Sequence, residues 1–433
     1  MTLKILLVNP WIYDFAAFNL WSRPLGLLHV AEYLSSFDTK LSLIDCTDSF
    51  ETNKYGAGRF RAEIVEKPSI LKCIPRFYKR YGICLNDFAN KLKGFTPVDI
   101  VLMTCIMSYW YPGIQKTVEI IRDILGNVPV ILGGIYSTLF HEHSSKNSGA
   151  DFIYKGTLDN SLYSTLNTFG FKLQKKREPI PYYKLNLYEN YPFAPILTSQ
   201  GCPFHCSYCA SGSLHNNYQK RPIDSVLEEI RELYNLGIRD YSFYDDALLF
   251  DSEIHLKPLL RGIIKARLNV RFHTPNGLHA RFIDEESALL MKAAHLQTIR
   301  LSLETVNDER QKKIGDKVTN EDLENAVMSL KKQGYTKKEI GVYLMYGLPG
   351  QELEEIKSGI RFLKSLDVSI HLTEFSPIKG TKCWDALVQS GCIDDNLDPL
   401  LTNNTVFSYI YSAYDPKDVE KMKLDVKEYN HSL

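Results

Sequence analysis

The sequence predicts an α/β chain with two parallel-sheet domains, a Rossmann-like one followed by a partial (β/α)6 barrel, and three observations carry that prediction. Apolar runs of strand length alternate with segments of helical period along most of the 433 residues. The alternation falls into two series, separated by a stretch with neither period. In the second series, five strand runs finish on polar residues, the pattern expected where side chains at the carboxyl ends of barrel strands build a site.

In the first series, over residues 1–160, the runs KILLVNP, LSLID, DIVLMTC, VPVILGG and DFIYKG read as five strands. They are continuous rather than alternating, as strands buried on both faces of a parallel sheet are. LGLLHVAEYLSSF and GIQKTVEIIRDIL have the 3.6-residue period of helices between them. Ligands of such sheets bind beyond the carboxyl strand ends, here Asn9 to Trp11, Thr104 to Gly113, Gly133 to Tyr136, and Lys155-Gly156. The pair His141 and His143 reads as solvated, and Cys105 as a small buried hydrophobe. Residues 161–195, charged and then rich in Pro, Tyr and Asn, read as a linker whose Tyr182, Tyr183, Tyr188 and Tyr191 pack at the domain interface.

Six strand–helix units follow over 196–380, too few to close an eight-fold barrel. The second strand run ends in Asp245-Asp246, the third in Thr274-Pro275-Asn276, the fourth in Ser302 and Glu304, the fifth in Tyr346-Gly347, and the sixth in Glu374 to Ser376. Residues 381–433 hold an aromatic-rich stretch, TNNTVFSYIYSAY, expected to cover the barrel mouth, and then a charged helix.

Directly after the first barrel strand, LTSQGCPFHCSYCA places Cys202, Cys206 and Cys209 within eight residues. A four-iron cluster normally takes four thiolates, and the next cysteine is Cys383, so three ligands leave one iron open. Cys206 and Cys209 alone would suit a dithiol redox pair, but Cys202 would be surplus. A zinc site lacks a second paired Cys or His segment nearby, although His205 lies inside the loop. Plain buried thiols are the remaining reading. Cys73, Cys84, Cys383 and Cys392 are too scattered to form a tight auxiliary motif.

The Cys-x-x-x-Cys-x-x-Cys pattern, with Tyr208 before the third cysteine, resembles that of the radical SAM superfamily. The resemblance implies a [4Fe-4S] cluster whose open iron chelates S-adenosylmethionine (SAM) and cleaves it to a 5′-deoxyadenosyl radical. It places Tyr208, Asp245, Asp246, Asn276, Arg281, Ser302, Glu304, Tyr346 and Ser376 on the SAM side, with Asp246 favoured for the amino group. Arg281 or Arg300 would meet the SAM carboxylate, and Glu304 the ribose. The N-terminal series, through D-x-V-x-x-x-x-x-M, V-x-L-G-G and G-A-D-x-x-x-x-G, resembles the cobalamin-binding domain that precedes many radical SAM domains. That implies contacts to cobalamin from Met107, Tyr109, Gly133, Gly134 and Gly156. The chain departs from that pattern in lacking Asp-x-His-x-x-Gly and in having Thr157 where an acidic residue is usual.

Equal numbers of basic and acidic residues, 51 each, provide no overall field for nucleic acid or an anionic membrane. The apolar start breaks at Pro10, too short to span a bilayer and without a signal-peptide cleavage site, so a cytoplasmic protein is expected. Together the resemblances imply a cobalamin-dependent C-methyltransferase, with both cofactors around one shared pocket. Its substrate would be a small molecule, peptide or protein, and its electrons would come from an external flavodoxin or ferredoxin. Two alternatives stand beside it: a radical cyclase, ring-contracting or coupling enzyme without methyl transfer, and a non-catalytic iron–sulfur carrier or sensor.

Overall fold

The computed structural model describes residues 2–53, 55–159, 161–180, 182–215, 217–412 and 414–432. Asn160, where the predicted first domain ends, lies outside them. The chain divides into two compact units, Met1–Tyr191 with Leu397–Leu401, and Pro192–Asn396 with Thr402–Leu433. No helix among the described residues is long and apolar enough to cross a membrane.

The first unit is built on five parallel strands, β1 (Leu3–Asn9), β2 (Thr39–Asp45), β3 (Ile100–Cys105), β4 (Val130–Gly134) and β5 (Phe152–Ile153), in the order β5-β4-β3-β1-β2. Strand order reverses between β1 and β3, so the ligand crevice of such a sheet opens beyond Asn9 and Cys105. Every residue of β3 is buried, which explains its unbroken apolar run. Ile5, Leu7, Ile100, Leu102 and Ile131 pack against Leu27, Ala31 and Leu34 of α1 (Leu25–Ser35).

Two features of this unit differ from expectation. Residues 161–195 are not a plain linker: Ser161–Thr168 is helical, and Leu162, Leu166 and Leu173 join the first unit's core. With so few apolar positions, this short helix shows too little period to be read from the sequence. Tyr188 is buried inside this unit, donating to Asp45 at 2.7 Å beneath the Arg23 guanidinium. The segment between β2 and β3 adds strands to two small antiparallel sheets, none of them longer than three residues. Strands that short carry no measurable alternation.

The second unit carries a seven-stranded parallel sheet with six strands in sequential order, β6 (Ala194–Ile196), β7 (Asp240–Phe243), β8 (Arg271–His273), β9 (Leu296–Glu304), β10 (Ile340–Tyr346) and β11 (Ser369–Glu374), and the two-residue strand Leu278–His279 paired beside β9. This is the partial (β/α)6 barrel. Side chains alternate across it. Leu344 faces the helical layer, where a Cβ on Gly359 would come within 2.8 Å of it. Arg300 and Ser302 of β9 point the other way, into the lumen. Arg300 is in register with Gly341, and Ser302 with Tyr343, which is itself in register with His371.

The last helix, Pro416–Ser432, lies along β11. Asn430 receives the Ile370 N–H at 2.9 Å and donates to the Ile370 carbonyl at 2.8 Å. An exposed sheet edge is thereby paired with a side-chain amide.

Candidate functional site

The cysteine loop leaves β6 through a two-residue ladder, Ser199–Gln200 against Gln219–Lys220. Gly201 then turns with φ +77°, and a Cβ there would lie 2.7 Å from the Asn217 carbonyl oxygen. Only glycine fits at this turn. Below it, Asp245 (4% exposed) accepts four hydrogen bonds on Oδ1, from the N–H and hydroxyl groups of Thr198 and Ser199, at 2.6 to 2.9 Å. His255 Nε2 lies 2.9 Å from the Thr198 hydroxyl. The predicted SAM-side Asp245 is therefore engaged in fixing the strand that enters the cysteine loop.

The loop is also held from outside. Ser207 donates its N–H to the Ile314 carbonyl, and Cys383 donates its N–H to the Ser207 carbonyl. Gly315, with φ +136°, lies so close that an added Cβ would be 2.9 Å from Cys206 Cα and 3.1 Å from its Sγ. Cys202, Cys206 and Cys209 share one cavity of about 380 Å³ with His205, His215, Asn217 and Thr381 among its walls. That size is within the usual range of ~300–1,000 Å³ for a ligand site. Burial pushes the Cys202 thiol up to about 11 and raises Cys206 as well. Both are thus protonated at neutral pH and would release their protons on binding metal. No group of three or more His, Cys, Asp or Glu side chains among the described residues converges as a single-ion site. In a four-iron cubane each thiolate takes its own iron, so three ligands need not meet at one point. The shared cavity, the three soft donors and a buried His215 Nδ1 without a hydrogen-bond partner fit a cluster with an added ligand.

Asp246 reaches the same loop: its Oδ2 accepts from Ser211 Oγ at 2.6 Å, and the Ser211 N–H points to Cys209 Sγ at 3.5 Å. Tyr208 is half-buried against Glu304, to which its phenol donates. Glu304 adopts the left-handed region, φ +67°, and pairs with Lys317 at 3.3 Å. A non-glycine residue held there is strained and marks a site the fold over-determines. Cys206, Tyr208, Glu304 and Lys317 line a second, smaller cavity. Ser302 stands over Gly277, where a Cβ would fall 1.9 Å from its Oγ. Asn276 donates to the Tyr244 carbonyl at 2.9 Å, bracing the turn that carries Asp245 and Asp246.

Other expected residues stand elsewhere. Arg281 faces Asp322 at 3.7 Å. Tyr346 donates to Glu374 and Ser376 to the Thr402 carbonyl, and neither lines a cysteine cavity. Cys84 caps the helix Leu85–Gly94 through the Asp87 N–H, while Cys73 and Cys392 are exposed.

At the carboxyl edge of the first sheet, Gly156 (φ +91°) has nothing within 4 Å of a built Cβ, and Gly133 only Tyr154 Cβ at 4.0 Å. Both offer bare backbone to a bulky ligand. Gly134 differs, because a Cβ there would strike Thr104 and Cys105, so its glycine serves strand packing. Met107 is half-buried and Tyr109 buried. Cys105 is held by the Met107 carbonyl, and its thiol is pushed up to about 12 by burial. His143 is not solvated as expected: its Nδ1 meets the Tyr136 hydroxyl at 2.6 Å, its ring stands edge-on to Tyr111, and its Nε2 lies 3.9 Å from Asp398. Nothing in the sequence signals the Asp398 contact, made across hundreds of residues. Gly315 and Lys317 were likewise unread, although both fall just after a helix with an Asn N-cap, where a loop return is expected.

Residues 196–363 match the radical SAM superfamily. An uncharacterized methyltransferase, PH0819, of Pyrococcus horikoshii is 25% identical over 350 residues, 72% of this chain and 74% of that protein. The cytidylyl-2-hydroxyethylphosphonate methyltransferase of Streptomyces wedmorensis is 19% identical over 90% of this chain and 83% of its own length. Among solved structures, the radical SAM methyltransferase TsrM of Kitasatospora setae, with cobalamin and a [4Fe-4S] cluster bound, superposes with TM-score 0.64 at 17% identity, over 90% of this chain and 75% of that one. The cobalamin-dependent SAM radical enzyme OxsB superposes with TM-score 0.63 at 11% identity, over 99% and 72%. The fold is thus shared with TsrM over 90% of this chain and with OxsB over 99%, and residues 196–363 are a radical SAM domain, of the superfamily that binds a [4Fe-4S] cluster and SAM.

Proposed function

We propose that the chain is a cobalamin-dependent radical SAM methyltransferase acting on an unactivated carbon. The observation that carries the radical half is the cavity shared by Cys202, Cys206 and Cys209, held in place by Asp245, Ile314 and Gly315. The methyl-transfer half is supported by relatives named as methyltransferases and by the open backbone at Gly133 and Gly156, beyond the sheet whose order reverses at β1 and β3. When bound, the cluster and SAM supply a 5′-deoxyadenosyl radical, and cobalamin carries the methyl group. The chain's own residues hold and orient. Three thiolates bind iron, Asp246 is braced by Ser211 to receive the SAM amino group, and Glu304, fixed by Tyr208 and Lys317, accepts from the ribose hydroxyls. Electrons would come from a flavodoxin- or ferredoxin-like donor.

Anaerobic reconstitution tests this reading. Protein loaded with iron, sulfide and a corrinoid should hold about four irons per chain and show the corrinoid absorbance. With SAM labelled in its methyl group, the label should appear on carbon in the product. Four irons without corrinoid uptake would remove the methyl-transfer half and leave the radical half standing.

A further inference from the structure

Among the described residues, the barrel lumen holds a cation that no carboxylate neutralises. On the lumen side of β7 and β8, Asp240 receives Arg271 through two hydrogen bonds, 2.7 and 2.5 Å, and lies 3.1 Å from His273 Nε2. At the carboxyl end of β9, Glu304 pairs with Lys317. Arg300 lies between these pairs and four residues before Glu304; the irregularity between Ser302 and Glu304 makes this the span of Gly341 to Leu344 on β10, so Arg300 sits about 10 Å deeper at ~3.3 Å per residue. Its guanidinium makes one hydrogen bond, to the neighbouring Ile299 carbonyl at 3.1 Å. No carboxylate among the described residues pairs with it, and burial lowers its basicity, opposed only in part by the Tyr343 phenol.

A second donor is aimed at the same place. His371 stands in the lumen on β11, its Nε2 buried and without a hydrogen-bond partner. Gly341 lies between the two, in register with Arg300, and a Cβ there would be 2.8 Å from Arg300 Nη1 and 2.6 Å from His371 Nε2. The two nitrogens therefore converge over bare backbone, and Tyr343 closes the side edge-on to the His371 ring at 5.7 Å. A half-buried guanidinium without a counter-ion is costly. A planar fork beside a second N–H donor is the arrangement that receives an oxyanion through two or more charge-assisted bonds.

We infer that Arg300 and His371 form an anion subsite in the barrel lumen, and that the substrate carries a carboxylate or phosphate group which docks there. The inference rests on the proposed radical reaction only for the word substrate; the subsite itself is a property of the fold. Its depth below Glu304 separates it from the end of the barrel where the cysteines lie, so it serves the substrate rather than the SAM carboxylate.

The test uses cluster-loaded full-length protein with inorganic phosphate and acetate as probes, at ionic strength held constant with chloride. Calorimetric titration should show phosphate or acetate binding that weakens at least tenfold in Arg300→Met, while Arg300→Lys keeps part of it and SAM affinity stays unchanged. His371→Phe should weaken anion binding to a lesser degree. Crystals of the unaltered protein soaked in selenate should show anomalous density within hydrogen-bond distance of Arg300 and His371, a readout that needs no variant to fold. Equal anion affinity in wild type and Arg300→Met, selenate bound elsewhere only, or a loss of SAM affinity in Arg300→Met would each overturn the subsite. Anion binding at Arg300 in protein that takes up no corrinoid would keep the subsite and remove methyl transfer.

Discussion

Cys206 is the residue on which most of the site converges. Its neighbours in the loop were legible because three thiols in eight residues form a pattern with a chemical meaning. What keeps them in place was not legible, since Gly315 and Asp245 act through approach and burial that only the fold reveals. Cys206→Ala should reduce cluster iron to background and abolish 5′-deoxyadenosine formation, measured by iron assay and chromatography. Gly315→Ala adds a methyl 2.9 Å from Cys206 Cα at φ +136°. It should cost about 1–3 kcal/mol and lower iron occupancy with all three cysteines intact, which iron content and thermal unfolding would show. Asp245→Asn exchanges a carboxylate that accepts four hydrogen bonds for an amide. Hydrogen bonds to a charged group contribute about 1.5–3 kcal/mol, so a loss of that size is expected in denaturant unfolding, along with a changed electron paramagnetic resonance line shape of the reduced cluster.

At the scale of elements, long apolar strands and amphipathic helices were readable because their periods run over many residues. All five strands of the N-terminal parallel sheet and the six sequential barrel strands were placed from those periods; the two-residue strand Leu278–His279 was too short to show one. The two small antiparallel sheets and the helix Ser161–Thr168 were not, being too short to show a period. The last helix was read as charged and helical, but its partner was not, because the polar contacts are isolated side chains, Asn430 on Ile370 and Lys423 on Glu374 of β11. Truncation before Pro416 should expose that edge and promote self-association. Light scattering would detect it, and a truncated chain that stays monodisperse would show the edge to be protected otherwise.

Across the whole molecule, several histidines are buried neutral. Burial, reinforced for His371 by Arg300, pulls His371 down to about 4 and His279 to about 3. Their folded values lie below the ~6.5 of an unfolded chain, so below that pH the unfolded state binds protons that the folded state refuses. Stability is therefore full above about pH 6.5 and declines as pH falls from there toward 4. Thermal midpoints of the cluster-free protein between pH 8 and 5 should fall on the acid side, and a flat profile would contradict the burial of these rings. The balance of 51 acidic and 51 basic residues gave no sign of this, nor of the uncompensated Arg300, because composition does not reveal which charges the fold pairs.

The central claim is that the three-cysteine cavity binds a cluster which cleaves SAM. Its most direct test is 5′-deoxyadenosine released by reconstituted, reduced protein under anaerobic conditions in the presence of SAM. Formation in wild type and none in Cys206→Ala is the predicted result. An intact four-iron cluster that binds SAM and never releases 5′-deoxyadenosine, with candidate anionic substrates supplied, would contradict it.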